Sequence, residues 1–377
     1  MSGTSADGVD AALVEFRGEE VLLRDFISPE LPPHLKQQLI QLNQTATLSL
    51  EQFSQLSFDL AQQFIQATQQ LLAKNTLQAK GITAIGSHGQ TIYHAPHIPM
   101  TLQIGHPAFI AKAIQIPTVG DFRVDDMALS GQGAPFAPAF HQAIFQTETP
   151  CFVVNIGGIA NISYLPAKDN GGGEKIMPLG YDTGPGNALM DEICQQHFKI
   201  PFDESGKLAK QGKPNQALLN QLLSHPYFAL AQPKSTGRET FNLNWLNEQV
   251  ALISENTQSE KSTSAIDLIS TLNQFTAITI ANEIQKTILQ QSLTQHLQVP
   301  VWIVGGGAFN PQLIQSIQQA LPSCKVQSAQ ATGFNPNAIE AMMCAWLAKQ
   351  RVENKPVALS QVTGAQRDAV LGGLWHP

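Results

Sequence analysis

The sequence predicts an α/β fold divided into more than one domain. Three observations predict it. Short apolar runs of strand character alternate with longer stretches of helical rhythm. Glycine-containing turns close strand-like runs in both halves of the chain. The 377 residues also exceed a single ordinary core, since domains average roughly 150 residues.

The elements follow in order. Met1–Gly8 is a polar turn containing glycine, and Val9–Phe16 then reads as a strand. Leu50–Leu72 is helical, because Phe53, Leu56, Leu60, Phe64 and Leu71 recur on one face. Ile82–Ser87 is a short apolar strand ending at His88-Gly89-Gln90-Thr91, and Thr101–Ile104 and Pro117–Phe122 read as further strands. Ser130–Pro138, rich in Gly, Pro and Ala, reads as a crossing between domains. Cys151–Ile156, Gly157-Gly158 and Ile159–Leu165 form a strand, a tight turn and a strand. Lys168–Lys175 is a polar, Gly-rich loop. Ile176–Tyr181 is a strand that leads into Asp182-Thr183-Gly184-Pro185-Gly186, with a helix starting near Asn187. Glu255–Ser264 is a polar linker. Val301–Val304 is a buried-type strand running into Gly305-Gly306-Gly307. Asn310-Pro311 and Asn335-Pro336 are helix starts, an N-cap followed by Pro at the first helical position. In the last helix Ile339, Met342, Met343, Trp346 and Leu347 share an apolar face.

Composition removes several function classes. Hydrophobic residues at 43% and charged residues at 14% describe a packed globular chain. A net charge of −7 argues against a general nucleic-acid binder, which needs clustered cations. No apolar run reaches the roughly 18 residues of a membrane span, and Met1–Asp7 lacks the basic and apolar regions of a secretion signal. Cys151, Cys194, Cys324 and Cys344 lie far apart, which excludes a disulfide scaffold and argues against a cysteine-built zinc site. The histidines show no ligand spacing. A reducing cytoplasm is the expected compartment.

Three glycine turns point to a nucleotide in a cleft. Gly3-Thr4-Ser5-Ala6-Asp7-Gly8-Val9-Asp10 offers small residues, hydroxyls and carboxylates before a strand; Asp7 or Asp10 could hold hydrated Mg²⁺, and a plain surface turn is the alternative. The Asn155–Asn161 turn, with Gly157 and Gly158, is a second, or a plain hairpin. Gly305, Gly306 and Gly307 are a third; three consecutive glycines cost chain entropy, and close approach to a nucleotide explains them better than turn-making. Asp182 is a general-base candidate or an Asx-turn aspartate. Asp121 and Arg123 stand at a strand end as an acid and a bidentate anion binder, or as a structural ion pair. His88, Gln90 and Thr91 offer hydrogen bonds at another strand end, and Glu340 borders the apolar face of its helix. Lys234-Ser235-Thr236-Gly237-Arg238 is a phosphate or substrate contact, or a solvated loop.

Together these residues resemble the anhydro-N-acetylmuramic acid kinase family of bacterial cell-wall recycling. The matching stretches are MSGTSADGVD (1–10), GSHGQTIYH (86–94), TLQIG (101–105), VGDFRVDD (119–126), GQGAPFAPAFH (131–141), NIGGIANIS (155–163), GYDTGPGNALMD (180–191), PKSTGRETFN (233–242), GGGAFNPQL (305–313) and VTGAQRDAVLG (362–372). The resemblance implies a two-domain actin/hexokinase-like fold, ribonuclease-H-like in each half, around a central cleft. It implies domain I over 1–130 plus about 345–377 and domain II over about 131–344. It also implies the reaction. ATP, water and 1,6-anhydro-N-acetylmuramic acid would give ADP and N-acetylmuramic acid 6-phosphate, with Asp182 as the catalytic base. Gly3–Asp10, Asn155, Gly157, Gly158 and Gly305–Gly307 would face ATP, with Mg²⁺ at Asp7. His88, Gln90, Thr91, Asp121, Arg123 and Glu340 would meet the sugar. A homodimer is implied, with neither nucleic acid nor membrane as partner. The alternatives are a kinase for another 1,6-anhydro-sugar, or a catalytically impaired sugar-binding homologue. The second arises because the family pattern has a short strand before Met-Ser-Gly-Thr-Ser, whereas here the motif's Met is Met1. Either the start lies upstream, or the turn is anchored from one side and binds ATP weakly. Ala6 also stands where Leu is usual.

Overall fold

The computed structural model of the chain describes residues 1–3, 7–168, 178–257, 263–293 and 298–377. Its strands, in chain order, are β1 (Ala11–Arg17), β2 (Glu20–Ile27), β3 (Ile85–Gly86), β4 (Gln90–Ala95), β5 (Met100–Ile104), β6 (Thr118–Gly120), β7 (Cys151–Ile156), β8 (Ile159–Leu165), β9 (Leu179–Pro185), β10 (Val299–Val304), β11 (Cys324–Ser328) and β12 (Gly373–Trp375). The chain forms two compact units: Met1–Ile144 with Ala338–Pro377, and Phe145–Asn337.

The second unit holds one mixed five-stranded sheet in the order β11-β10-β7-β8-β9. β7 is central, parallel to β10 and antiparallel to β8. Its residues Cys151–Val154 are all buried, so they form an unbroken apolar run, the pattern of a strand covered on both faces. Phe152, Val154 and Ile156 pack with Ala277, Ile280 and Ile284 of the helix Ala265–Gln290. Asn310 caps the helix Pro311–Ala320 by accepting from the Leu313 amide, as the Asn-Pro pair predicts.

The first unit divides its strands among three sheets: β1-β2, β12-β6-β3 and β4-β5. The helix Leu50–Lys74 opens with a capping box between Ser49 and Gln52. It buries Leu56, Leu60, Phe64 and Leu71 on the predicted face, with Phe53 half-buried. β3 lies hard against the helix Ile339–Val352, since a Cβ on Gly86 would collide with the Cys344 carbonyl. The chain end is fixed by β12 pairing antiparallel with β6 and by the Gly372 amide donating to Asp125 Oδ2 at 2.8 Å.

A cavity of about 850 Å³ within this unit separates β1 from β3. Val9–Phe16 line it on one side, and Ile82–Ser87 and the helix Ile339–Val352 on the other. Among the described residues β1 pairs only with β2, and β3 only with β6. At the cavity's end Met1 and Asp10 exchange backbone bonds, N to O at 2.7 and 2.8 Å.

Several elements depart from the sequence expectation. The strand expected over Val9–Phe16 runs Ala11–Arg17, and that over Ile82–Ser87 shrinks to Ile85–Gly86 behind a 3-10 turn at Ala79–Gly81. Pro117–Phe122 ends as a strand at Gly120, because Asp121 turns left-handed (φ 58°) and starts a helix at Phe122. Asp182 lies inside β9, not after it. Ser130–Pro138 is no crossing: Asp126 accepts from the Gly133 amide and the Thr363 hydroxyl, both at 2.7 Å, which ties this stretch into the first unit. The Asn335-Pro336 start opens with one 3-10 turn before the helix at Ile339. In that helix Ile339, Met342 and Leu347 are buried, and Met343 and Trp346 half-buried. The helix Leu243–Thr257 extends into the expected linker 255–264, while 258–262 and most of the loop 168–175 lie outside the described residues, as do 176 and 177 of the expected strand.

Candidate active site

In the second unit Asp182 is held by its backbone and by one carboxylate oxygen. Its amide donates to the Lys234 carbonyl at 3.0 Å, and its own carbonyl accepts from the Tyr227 hydroxyl at 2.7 Å. Oδ2 accepts from the Ser235 hydroxyl at 2.9 Å and from the Thr236 amide at 3.1 Å. Oδ1 accepts no hydrogen bond from a described residue. Burial pushes the Asp182 carboxyl above its ordinary pKa; the Thr236 and Ser235 donors pull it down, and Glu239 adds to the rise. The result is a half-buried carboxylate with one oxygen fixed and one free to accept a proton.

The loop that holds Asp182 is itself anchored. Lys234 Nζ is buried and donates to Glu283 Oε1 at 2.9 Å and to the Tyr227 carbonyl at 3.2 Å. Glu283 stands on the helix Ala265–Gln290 and also receives Gln232 and Lys286. Burial raises the Glu283 pKa, but Lys286, Lys234 and Gln232 outweigh it and bring the carboxyl below its usual value.

The Gly157-Gly158 turn joins β7 to β8 beside this loop. A Cβ on Gly157 would meet only the Ile159 carbonyl, at 3.8 Å, and one on Gly158 would lie 3.6 Å from both Ala188 Cβ and Arg238 Nη2. No contact there demands glycine, so the turn keeps open space at its surface. The triple glycine divides differently. Gly305 has φ 73° and would strike the Asn155 side chain, and a Cβ on Gly307 would lie 2.5 Å from Ile156 Cβ. These two are glycines because they pack against the end of β7, which corrects the view that a nucleotide alone explains them. Gly306 has nothing nearer than 3.6 Å.

In the first unit four of the expected sugar-site residues are linked to one another or to the glycine turn. Arg123 Nε donates to His88 Nε2 at 2.8 Å and Nη1 to the Gly133 carbonyl at 2.9 Å. His88 is buried, and burial, with the Arg123 charge, lowers its pKa to about 3, so the ring is neutral and accepts at Nε2. Its Nδ1 lies 3.2 Å from the Gly89 carbonyl. Burial lowers the Arg123 pKa and the charge of Glu340 opposes it, which joins exposed Glu340 to this group. Gln90 is buried and its Nε2 donates to the Gly3 carbonyl at 3.2 Å, while its Oε1 has no partner among the described residues. Thr91 Oγ1 accepts from Gln103 Nε2 at 3.1 Å. Asp121 shares no hydrogen bond with His88 or Arg123 among the described residues; burial raises its pKa, with His106 and Asp125 as the charges it feels.

In the first turn Thr4, Ser5 and Ala6 lie outside the described residues. Gly8 packs under Pro29, whose carbonyl a Cβ would approach to 2.7 Å. Val9 is buried, and Asp10 Oδ1 accepts from the Ser28 hydroxyl at 2.6 Å. Asp7 is exposed and paired with Lys36 at 2.6 Å. Among the described residues no three His, Cys, Asp or Glu side chains form a metal cage. No helix of the described residues is long and apolar enough to cross a membrane.

Sequence reasoning left the Lys234–Arg238 loop undecided and did not select Tyr227 or Glu283. The available signal was Glu283 itself, an acid within the largely apolar stretch Ala277–Ile284.

Comparison with known proteins agrees with the resemblance. The family model for anhydro-N-acetylmuramic acid kinase matches residues 1–377. The chain is 49% identical over 377 residues to the anhydro-N-acetylmuramic acid kinase of Hydrogenovibrio crunogenus, covering 100% of this chain and 97% of that one. It is 44% identical to the kinase of that name from Vibrio vulnificus over 379 residues (100% and 96%), and 43% to that from Saccharophagus degradans over 383 residues (100% and 98%). Solved structures give a fainter likeness: the activator of 2-hydroxyisocaproyl-CoA dehydratase from Clostridium difficile has TM-score 0.34 and 11% identity over 63% of this chain and 73% of that one. At that level the fold assignment rests on the strands and helices themselves.

Proposed function

Because the chain belongs to the anhydro-N-acetylmuramic acid kinase family, we propose that it turns ATP, water and 1,6-anhydro-N-acetylmuramic acid into ADP and N-acetylmuramic acid 6-phosphate, with Asp182 as the general base. The observation that carries this role is the unequal environment of the two Asp182 oxygens, one held by Ser235 and Thr236 and one that accepts no bond from a described residue. Oδ1 would take a proton from water. The water oxygen bonds to the anomeric carbon as the bond from that carbon to O6 breaks. The electron pair released on O6 forms the new bond to the γ-phosphorus, and the bond from phosphorus to the bridging oxygen of ADP breaks. One carboxylate thus serves both events, whereas an ordinary glycosidase uses two.

The rest of the chain would bind and position. Gly157, Gly158 and Gly306 have room for close approach of phosphates. The Gly3–Asp10 turn would complete nucleotide binding, with Gly8 and Val9 fixing its base. Asn155, Gly305 and Gly307 would shape the floor. Neutral His88 would orient Arg123 toward the sugar's carboxylate, and Gln90, Thr91, Asp121 and Glu340 would offer further polar contacts. Magnesium fits as a partner of the nucleotide, because this ion ordinarily needs only one or two carboxylates beside phosphates and water. Asp7 would be such a carboxylate once it exchanges Lys36 for the ion, and the ion would neutralise phosphate charge. A cytoplasmic homodimer is part of the proposal, read by sedimentation at working concentration.

A coupled ADP assay with purified 1,6-anhydro-N-acetylmuramic acid and with levoglucosan tests the substrate. Turnover on the first and little on the second is expected. Equal turnover on both would move the assignment to anhydro-sugars in general.

A further inference from the structure

We propose that Arg238 is a catalytic residue that grips the phosphoryl group during its transfer. The inference rests on the kinase reading above. Arg238 ends the same loop whose Ser235 and Thr236 hold the Asp182 carboxylate. Its guanidinium stands at the Gly157-Gly158 turn, where a Cβ on Gly158 would lie 3.6 Å from Nη2 and 3.8 Å from Nε. The residue is exposed, and its guanidinium makes no hydrogen bond or ion pair with a described residue. Its charge is felt by Glu192, whose pKa burial raises and Arg238 lowers, and whose Oε2 is buried without a partner among the described residues.

A guanidinium with no hydrogen-bond or ion-pair partner among the described residues, beside an open glycine turn, is suited to a phosphoryl group. The planar fork binds two oxygens at once, and the turn leaves space for them. Charge spreads over the equatorial oxygens of the transferring group, so a guanidinium there acts most in the transition state. The loop is rigid at its other end because Lys234 is buried against Glu283. One short segment would therefore set the base at Ser235–Thr236 and the phosphoryl contact at Arg238.

The test uses the full chain with ATP, Mg²⁺ and the anhydro-sugar. Arg238→Ala is expected to lower kcat by about 100-fold or more, with the sugar KM within about twofold, and millimolar guanidinium chloride to restore part of the rate. Arg238→Lys is expected to recover little, because an ammonium cannot bind two oxygens in a plane. A second reading needs no turnover: ADP with aluminium fluoride, which imitates the transferring group, is expected to bind the unaltered chain more tightly than ADP alone, and Arg238→Ala to lose that gain. Turnover of Arg238→Ala within about threefold of the unaltered chain, or an unchanged aluminium fluoride gain, would overturn the inference. So would a loss that guanidinium does not relieve, which assigns the arginine a structural part. Asp182→Asn run alongside separates the two claims: if it keeps full turnover the base assignment fails, while the aluminium fluoride result still judges Arg238.

Discussion

The two units organise their strands differently. In the second, β7 pairs on both sides, so five strands make one sheet and the Gly157-Gly158 turn hangs between two paired strands. In the first, the hairpin β1-β2 and the strands β3-β6-β12 are separate, and a cavity of about 850 Å³ lies between them. The turn before β1 is held by the Met1–Asp10 backbone pair and by the segment after β2, where the Val9 amide donates to the Pro29 carbonyl and the Leu31 amide to the Asp7 carbonyl. The contrast lies in what holds each turn: neighbours within one continuous sheet in the second unit, and a few bonds at the end of a hairpin in the first.

The largest expected effect sharpens this contrast from the second unit. Glu283→Ala leaves the Lys234 ammonium buried with the Tyr227 carbonyl but without its carboxylate partner. A loss of about 3–5 kcal/mol is expected, read by urea unfolding, with the Asp182 loop losing hydrogen-exchange protection. Stability within about 1 kcal/mol of the unaltered chain would mean the pair does not anchor that loop.

Acid should separate the units next. His88 and His141, both in the first unit, have folded pKa values lowered by burial to about 3, and His94 is lowered as well. In the second unit burial lowers His225. Between pH 6.5 and 5 the unfolded chain binds protons that the folded histidines refuse, so stability falls as pH drops, by roughly 1.4 kcal/mol per histidine per pH unit. Asp121 and Asp126, whose pKa values burial raises, act in the opposite sense at lower pH. The first unit should lose about 2–4 kcal/mol by pH 5 and open first by hydrogen exchange. Equal acid sensitivity of the two units would break the comparison.

How legible was this in the sequence? β7, its glycine turn and β8 read correctly because an unbroken apolar run and two glycines are local signals. β3 and β12 have two and three residues, too few to carry an alternating pattern. Asp182 was singled out by the glycines that follow it, but the groups that hold it were not: Ser235 and Thr236 lie 53 and 54 residues away, and Lys234 meets Glu283 across 49. Contacts of that separation leave no period to read. The glycine triplet shows the reverse case, a strong local signal whose cause at Gly305 and Gly307 is packing against a distant strand.

The smallest expected effect comes from copying the second unit's solution into the first. Fusing residues 152–156 ahead of Met1 supplies an extended apolar segment that the Met1–Asp10 pair would direct along β1. Relative to a Gly-Ser extension of equal length, a gain of about 1 kcal/mol, or roughly 3 °C in Tm, and slower exchange at the Ala12 and Val14 amides are expected. Identical Tm values for the two extensions would show that the cavity does not accept a strand.

The central claim is that one carboxylate readies the water. Its most direct test is Asp182→Asn, a change that keeps size and shape, assayed for ADP release with the anhydro-sugar and checked for an unchanged Tm. The account predicts a fall in kcat of about a thousandfold. Near-full turnover in a folded variant would contradict it.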